Sequence, residues 1–209
     1  MNFKEAAKAY AEGKVFVAFD LETTGLDPSR DRIVEIGAVK FDRTGLIARF
    51  STLVNPGIPM PAEAGRVNGI TDNMLAGKPS LEKVFPDFLL FIRGAALAAH
   101  NAPFDTGFVN AKLSEGWKAA GGRETDLLLP LDEGGVWAPP FPTLPNPIAD
   151  TLAFSRERFP AQNSHSLQNL AAGLDIDARD AHRAEDDARL CMEIFVRCIR
   201  DVAFGGHCC

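Results

Sequence analysis

The stretch from Lys14 to Val54 constrains the fold more than any other, because three strand-like runs follow one another there with turn residues between them. Lys14 to Asp20 alternates around Val15, Val17 and Phe19, the two-residue period of a strand. Arg32 to Phe41 and Leu46 to Val54 flank Asp42-Arg43-Thr44-Gly45, a hairpin turn whose glycine tolerates positive φ. These runs predict an antiparallel three-stranded meander, ended by Asn55-Pro56-Gly57.

Beyond the meander the pattern turns helical. Thr71-Asp72 and Ser80 are suited to cap helices at Asn73 to Ala76 and Leu81 to Ile92, the second expected to kink at Pro86. Ala95 to His100 is small and apolar and suits a strand buried on both faces. Further helices are expected from about Phe104 to Trp117, then at Ile148 to Arg158, Leu167 to Ala172 and Ala184 to Phe204. The order predicts an α/β fold with a mixed central sheet, the meander plus parallel strands, flanked by helices.

With 209 residues the chain can bury a sizeable core, and one domain over 1–209 is expected, its core about 14–204. Gly121 to Pro147 breaks the composition, with Pro139, Pro140, Pro142, Pro145 and Pro147 crowded among Gly134, Gly135 and Trp137. It reads as a loop insertion and not a linker, because residues on both sides are needed for one site.

The apolar runs Phe88 to Ile92 and Ala95 to Ala99 are far below the roughly 20 residues of a membrane-crossing helix. Residues 1–14 carry Lys4, Glu5, Lys8, Glu12 and Lys14 among alanines, a polar helix and not a signal peptide, so the expected location is cytoplasmic. Of the four cysteines, Cys191 and Cys198 read as buried thiols and Cys208 and Cys209 as a frayed tail. A net charge of −6 argues against nucleic-acid binding by bulk electrostatics alone, but not against a chain that meets phosphate through bound metal. Two divalent cations would add four positive charges, taking −6 to −2, and concentrate them where a phosphate must sit.

Five residues supply that chemistry. In the last helix Cys191, Ile194, Phe195, Cys198, Ile199 and Val202 recur at three- and four-residue steps and define a core face. Asp187, four before Cys191, points along that face, where a carboxylate is costly unless paired or bound to a metal; Asp186 turns about 100° away into solvent. His182 precedes the helix by two residues. Asp20 and Glu22 leave one face of a strand end, where their charges repel unless a cation lies between them or water solvates them. Gly25 would let a substrate approach the backbone closely. Asp105 falls in a helix first turn, where compensation of the helix dipole would explain it alone. Together the four carboxylates and one imidazole are the set needed to hold two cations and activate a water on a phosphodiester.

Phe-Asp-Leu-Glu-Thr-Thr-Gly around Asp20 and Glu22, His-Asn-Ala-Pro-Phe-Asp ending at Asp105, and His-Arg-Ala-Glu-Asp-Asp from His182 to Asp187 resemble the three motifs of the DEDDh, or DnaQ-like, 3′→5′ exonucleases. The resemblance runs from about Val15 to Phe204 and includes epsilon-like connecting segments at Asn55-Pro56-Gly57, Gly69-Ile70-Thr71-Asp72, Asp150-Thr151-Leu152 and Ser166-Leu167-Gln168-Asn169-Leu170. It implies a ribonuclease H-like fold and two divalent cations, Mg²⁺ or Mn²⁺. Asp20 would bridge both metals, Glu22 and Asp187 would complete one site, Asp105 would support the second, and His182 would take the proton from the attacking water. The product would be a nucleoside 5′-monophosphate. Thr23 and Thr24 would touch the terminal sugar, and Leu26, Met60 and Phe104 would wedge or stack the last bases unless they pack in the core. His100 and Asn101 would support the site from beside Asp105, and His165 would be structural.

Three departures qualify the resemblance. Asn68 stands where such sequences commonly have His before Gly-Ile-Thr, a change expected to affect a connecting loop and not the metal site. The 121–147 insertion is long for the family, and no polymerase-binding tail is evident after the last helix. The expected partner is a nucleic acid with a free 3′ end, single-stranded DNA first, in proofreading or repair. An RNA-trimming enzyme of the same class and a non-catalytic binding module are the alternatives.

Overall fold

A computed structural model describes residues 1–119, 121, 141–178 and 183–203. The elements run α1 (Phe3–Ala11), β1 (Phe16–Thr23), β2 (Ile33–Asp42), β3 (Gly45–Leu53), α2 (Ala62–Asn68), α3 (Asp72–Leu75), α4 (Leu81–Ile92), β4 (Ala96–Ala99), α5 (Ala102–Ala119), β5 (Ile148–Asp150), α6 (Thr151–Arg158), α7 (Leu167–Gly173) and α8 (Ala184–Ala203).

The five strands form one sheet in the order β3-β2-β1-β4-β5. β2 pairs antiparallel with β1 and β3, whereas β4 runs parallel to both β1 and β5. The expected meander is present, with Asp42 facing Gly45 across the turn and Gly45 at φ 126°. β1 departs from the expected alternation: Phe16, Val17, Ala18 and Phe19 are all buried, because the strand lies at the centre of the sheet with helices on both sides.

One layer, α1, α6, α7 and α8, covers the face that carries Phe16, Ala18, Val39 and Phe41. The other, α4 and α5, covers the face that carries Val17, Phe19, Leu21, Ile36 and Ala38. α1 is more than a polar helix: a capping box between Asn2 and Glu5 starts it, and Ala6, Ala7 and Tyr10 are buried, with Tyr10 edge-on to Phe195.

Three further expectations differ. Ile148 to Asp150 forms an edge strand instead of the first turn of a helix, and Asp150 then caps α6 by accepting from the Leu152 N–H. α2 is additional; its Pro61 N-cap and internal Gly65 conceal it from propensity reasoning. Val202 is 49% exposed, so the core face of α8 closes at Ile199. Pro86 lies inside α4, and Cys191 and Cys198 are free buried thiols. Most of the Gly121 to Pro147 insertion, the end of the Ala184 to Phe204 helix at Phe204, and the Cys208-Cys209 tail lie outside the described residues.

Candidate active site

Strand parity brings the first two carboxylates to α8. Phe16 and Ala18 face the layer that contains α8, so Asp20 and Glu22, two and four residues further, continue on that face. Their antiparallel partners on β2 are Gly37 and Glu35. Asp187 in the first turn of α8 arrives at the same point, buried to 6% exposure as its helical spacing requires. One carboxylate oxygen from each of Asp20, Glu22 and Asp187 lies within 4.8 Å of the others.

Asp105 reaches the site from α5. Its Oδ1 accepts from the Leu21 N–H at 3.1 Å, which seats it against the peptide between Asp20 and Glu22, and it is 2% exposed. Asp150 holds the start of that helix, accepting from the N–H groups of Asn101 at 3.1 Å and Ala102 at 3.4 Å. Asn101 takes φ 68°, a conformation Asn tolerates better than most residues.

The electrostatics fit a cation. Burial, then the charges of Asp105, Glu22, Asp187 and Glu35, holds the Asp20 carboxyl well above the usual range. Burial and Asp187 push Glu22 up to about 7, and burial raises Asp105 to about 8 against the opposing Leu21 hydrogen bond. A cluster of hard oxygen donors that resists ionisation by itself is what a divalent cation relieves. The chain therefore contains an acidic cluster able to hold divalent metal.

Sequence reasoning missed two residues here. Glu35, 1% exposed, accepts from the Arg183 guanidinium and from the Ala184 N–H. The only sequence signal was a lone carboxylate within an apolar strand, Ile-Val-Glu-Ile-Gly. Asn68 is the second, and it corrects the expectation that this position affects only a loop. It is 4% exposed, its side chain donates to the Thr23 carbonyl at 3.3 Å and accepts from the Ile70 N–H at 3.1 Å, and its presence beside Glu22 favours the charged form of that carboxylate.

The remaining candidates divide. Thr23 and Thr24 are buried; the Thr23 hydroxyl donates to the Gly25 carbonyl at 2.6 Å, and the Thr24 hydroxyl accepts from the Arg32 N–H at 2.9 Å. At Gly25 a Cβ would meet the Asp31 carboxylate at 2.5 Å, so a larger residue would have to displace that side chain from the loop. Leu26 is 82% exposed beside these residues. Met60 packs against Val34, Ile70 and Leu75, and Phe104 against the core on the α4 and α5 side, its ring 5.2 Å from that of Phe108. His100 bridges the Thr151 hydroxyl at 2.9 Å and the His165 carbonyl at 2.8 Å, and burial lowers its pKa, which suits a neutral linking role. His165 bonds the Phe159 carbonyl at 3.2 Å. His182 lies outside the described residues; its chain neighbour Arg183 is held at the site by Glu35.

A mixed five-stranded sheet with one antiparallel central partner and helices on both faces is the ribonuclease H-like fold. A family model described as exonuclease (RNase T) matches residues 17–195. The chain is 43% identical over 203 residues to the DNA polymerase III subunit epsilon of Treponema pallidum (strain Nichols), covering 96% of this chain and 84% of that one. It is 36% identical over 191 residues to the PolC-type DNA polymerase III of Caldanaerobacter subterraneus subsp. tengcongensis, covering 91% of this chain and only 12% of that longer protein. Among solved structures, exonuclease X in complex with 5′ overhanging duplex DNA shares the fold at a TM-score of 0.64 and 22% identity, over 91% of this chain and 95% of that one. The chain belongs to the exonuclease family.

Proposed function

We propose that this exonuclease hydrolyses DNA from its 3′ end to nucleoside 5′-monophosphates, with Asp20, Glu22, Asp105 and Asp187 holding two divalent cations, Mg²⁺ or Mn²⁺. The observation that carries the reading is the convergence of Asp20, Glu22 and Asp187 within 4.8 Å, with buried Asp105 hydrogen-bonded between the first two. Oxygen-only ligands favour Mg²⁺ or Mn²⁺ over softer metals. Bound cations would supply the positive charge that polarises a phosphodiester and lowers the pKa of a water.

The protein's own groups supply the rest. Asp105 is oriented by the Leu21 N–H, and Asp187 by the Gln168 side chain, which donates to it at 3.3 Å. His182, one residue before Arg183, is suited to accept the proton of the attacking water, since imidazole titrates at roughly 6.5. Leu26 is free to meet a terminal base, and the backbone of Thr23 to Gly25 lies beside the carboxylates to receive the terminal sugar. His100 and Asn101 support the site through Thr151 and Asp150.

The epsilon relative supports a role in proofreading or repair, association with a DNA polymerase, and a cytoplasmic location. No helix among the described residues is long and apolar enough to cross a membrane. A single domain with an inserted 121–147 segment accommodates all four carboxylates around the C-terminal half of β1, the central strand of the sheet.

Digestion of matched 3′-labelled and 5′-labelled single-stranded DNA and RNA, with Mg²⁺, Mn²⁺ or chelator, tests this reading. Metal-dependent release of mononucleotides from the 3′ end of DNA is the expected result. Preference for RNA would move the assignment to RNA trimming, and no release from either by folded protein would defeat the reading.

A further inference from the structure

We propose that Glu35 is a positioning residue of the active site, and that with Gly37 and Arg183 it forms a seat on β2 for the first turn of α8. The proposal rests on the exonuclease reading above. Glu35 and Gly37 are two apart on β2, hence on one face, and they stand opposite Glu22 and Asp20 in the antiparallel register.

At Gly37 the backbone of α8 touches the strand. A Cβ there would fall 2.0 Å from the Ala184 carbonyl carbon and 2.1 Å from the Glu185 nitrogen, an approach that no other residue permits. At Glu35 the same turn is tied down. The carboxylate accepts from Arg183 Nη2 at 2.6 Å and Nε at 3.1 Å, and from the Ala184 N–H at 3.2 Å. The Arg183 carbonyl in turn accepts from the Asp187 N–H at 3.0 Å. Strand, guanidinium, helix start and metal-binding carboxylate thus form one connected path. Residue 182 is a single peptide from this anchor, and a peptide spans only about 3.8 Å between α-carbons.

Stability alone does not account for the arrangement. An ion pair with a buried carboxylate and a half-exposed guanidinium contributes little net stability, since solvent screens one partner and burial costs the other its hydration. Here its carboxylate is also placed opposite Glu22, where like charges on facing strands repel. A rigid hydrogen-bonded fork does set position and direction, which an apolar contact does not.

Two variants of the full chain test this. Arg183→Lys keeps the charge and loses the fork, and its side chain is 47% exposed, so folding is expected to survive. Glu35→Gln keeps the shape and loses the charge. On 3′-labelled single-stranded DNA, kcat is expected to fall about 10- to 100-fold in each, with KM changed by less than about threefold. In metal-free protein, amide hydrogen exchange at residues 184–187 is expected to rise about tenfold or more while amides of β1 and α4 keep their rates. Unchanged kcat in Arg183→Lys overturns the proposal, as does exchange that stays at the wild-type rate or rises uniformly across the sheet. If Glu35→Gln fails to fold, Arg183→Lys decides alone. An inactive wild type would defeat the functional reading instead, and the exchange measurement would still test the seat.

Discussion

The backbone N–H of Leu21 donates to the Asp105 carboxylate across 3.1 Å, joining two residues 84 positions apart at the peptide between Asp20 and Glu22. Asp105 cannot move without disturbing the strand that presents Asp20 and Glu22. Substitution of Asp105 is therefore expected to be felt at Asp20 and Glu22.

Stability without metal depends on pH in a direction set by these groups. Asp20 is held well above the usual range, and Glu22 and Asp105 are raised from 4.5 and 3.8 to about 7 and about 8. The folded state then holds protons more tightly than the unfolded chain. The stabilisation is complete below the unfolded values and is lost as pH rises through the folded ones. In chelator the melting temperature is expected to fall between about pH 5 and about pH 9, and Mg²⁺ or Mn²⁺ to restore it at the alkaline end. A flat profile in chelator would contradict the crowding of these carboxylates.

Asp20→Ala and Asp187→Ala are expected to abolish nuclease activity, because each deletes a member of the 4.8 Å cluster. His182→Ala is expected to keep metal binding and lose about 10² to 10⁴ in rate. Calorimetric Mn²⁺ titration beside single-turnover kinetics separates the two behaviours. Undiminished turnover in Asp187→Ala would sink the site assignment.

Asn68→Ala leaves the buried Thr23 carbonyl and Ile70 N–H without their side-chain partner. Urea unfolding is expected to show a loss of about 1–3 kcal/mol. Weaker Mn²⁺ binding should accompany it, since Asn68 beside Glu22 also favours the charged form of that carboxylate. Wild-type stability would show that water replaces the amide.

Gly37→Ala pushes a methyl group into the backbone of Ala184 and Glu185. The expected cost is about 1–3 kcal/mol or more, with β2 or the start of α8 displaced. Thermal unfolding measures it, and a melting temperature equal to wild type would mean that the helix start is not seated where it is described.

Leu26→Ala removes a side chain that is 82% exposed. Stability is expected to stay within about 0.5 kcal/mol, while KM for single-stranded DNA rises. Steady-state kinetics at fixed Mg²⁺ checks this; an unchanged KM removes Leu26 from the substrate path.

Local spacing was enough for much of this molecule. Alternation and the Asp42 to Gly45 turn specified the meander, and helical spacing from Cys191 to Ile199 aimed Asp187, not Asp186, at the core, because period and side-chain direction are properties of a short segment. Parity along β1 likewise put Asp20 and Glu22 on one face. Tertiary structure decided what depends on neighbours distant in the chain. Burial of β1 on both faces follows from its central place in the sheet, and the three residues of β5 become a strand only because β4 offers a free edge. Glu35 and Asn68 joined the site for the same reason: their partners Arg183 and Thr23 lie 148 and 45 positions away, and no local pattern encodes contacts that the closed sheet alone brings together.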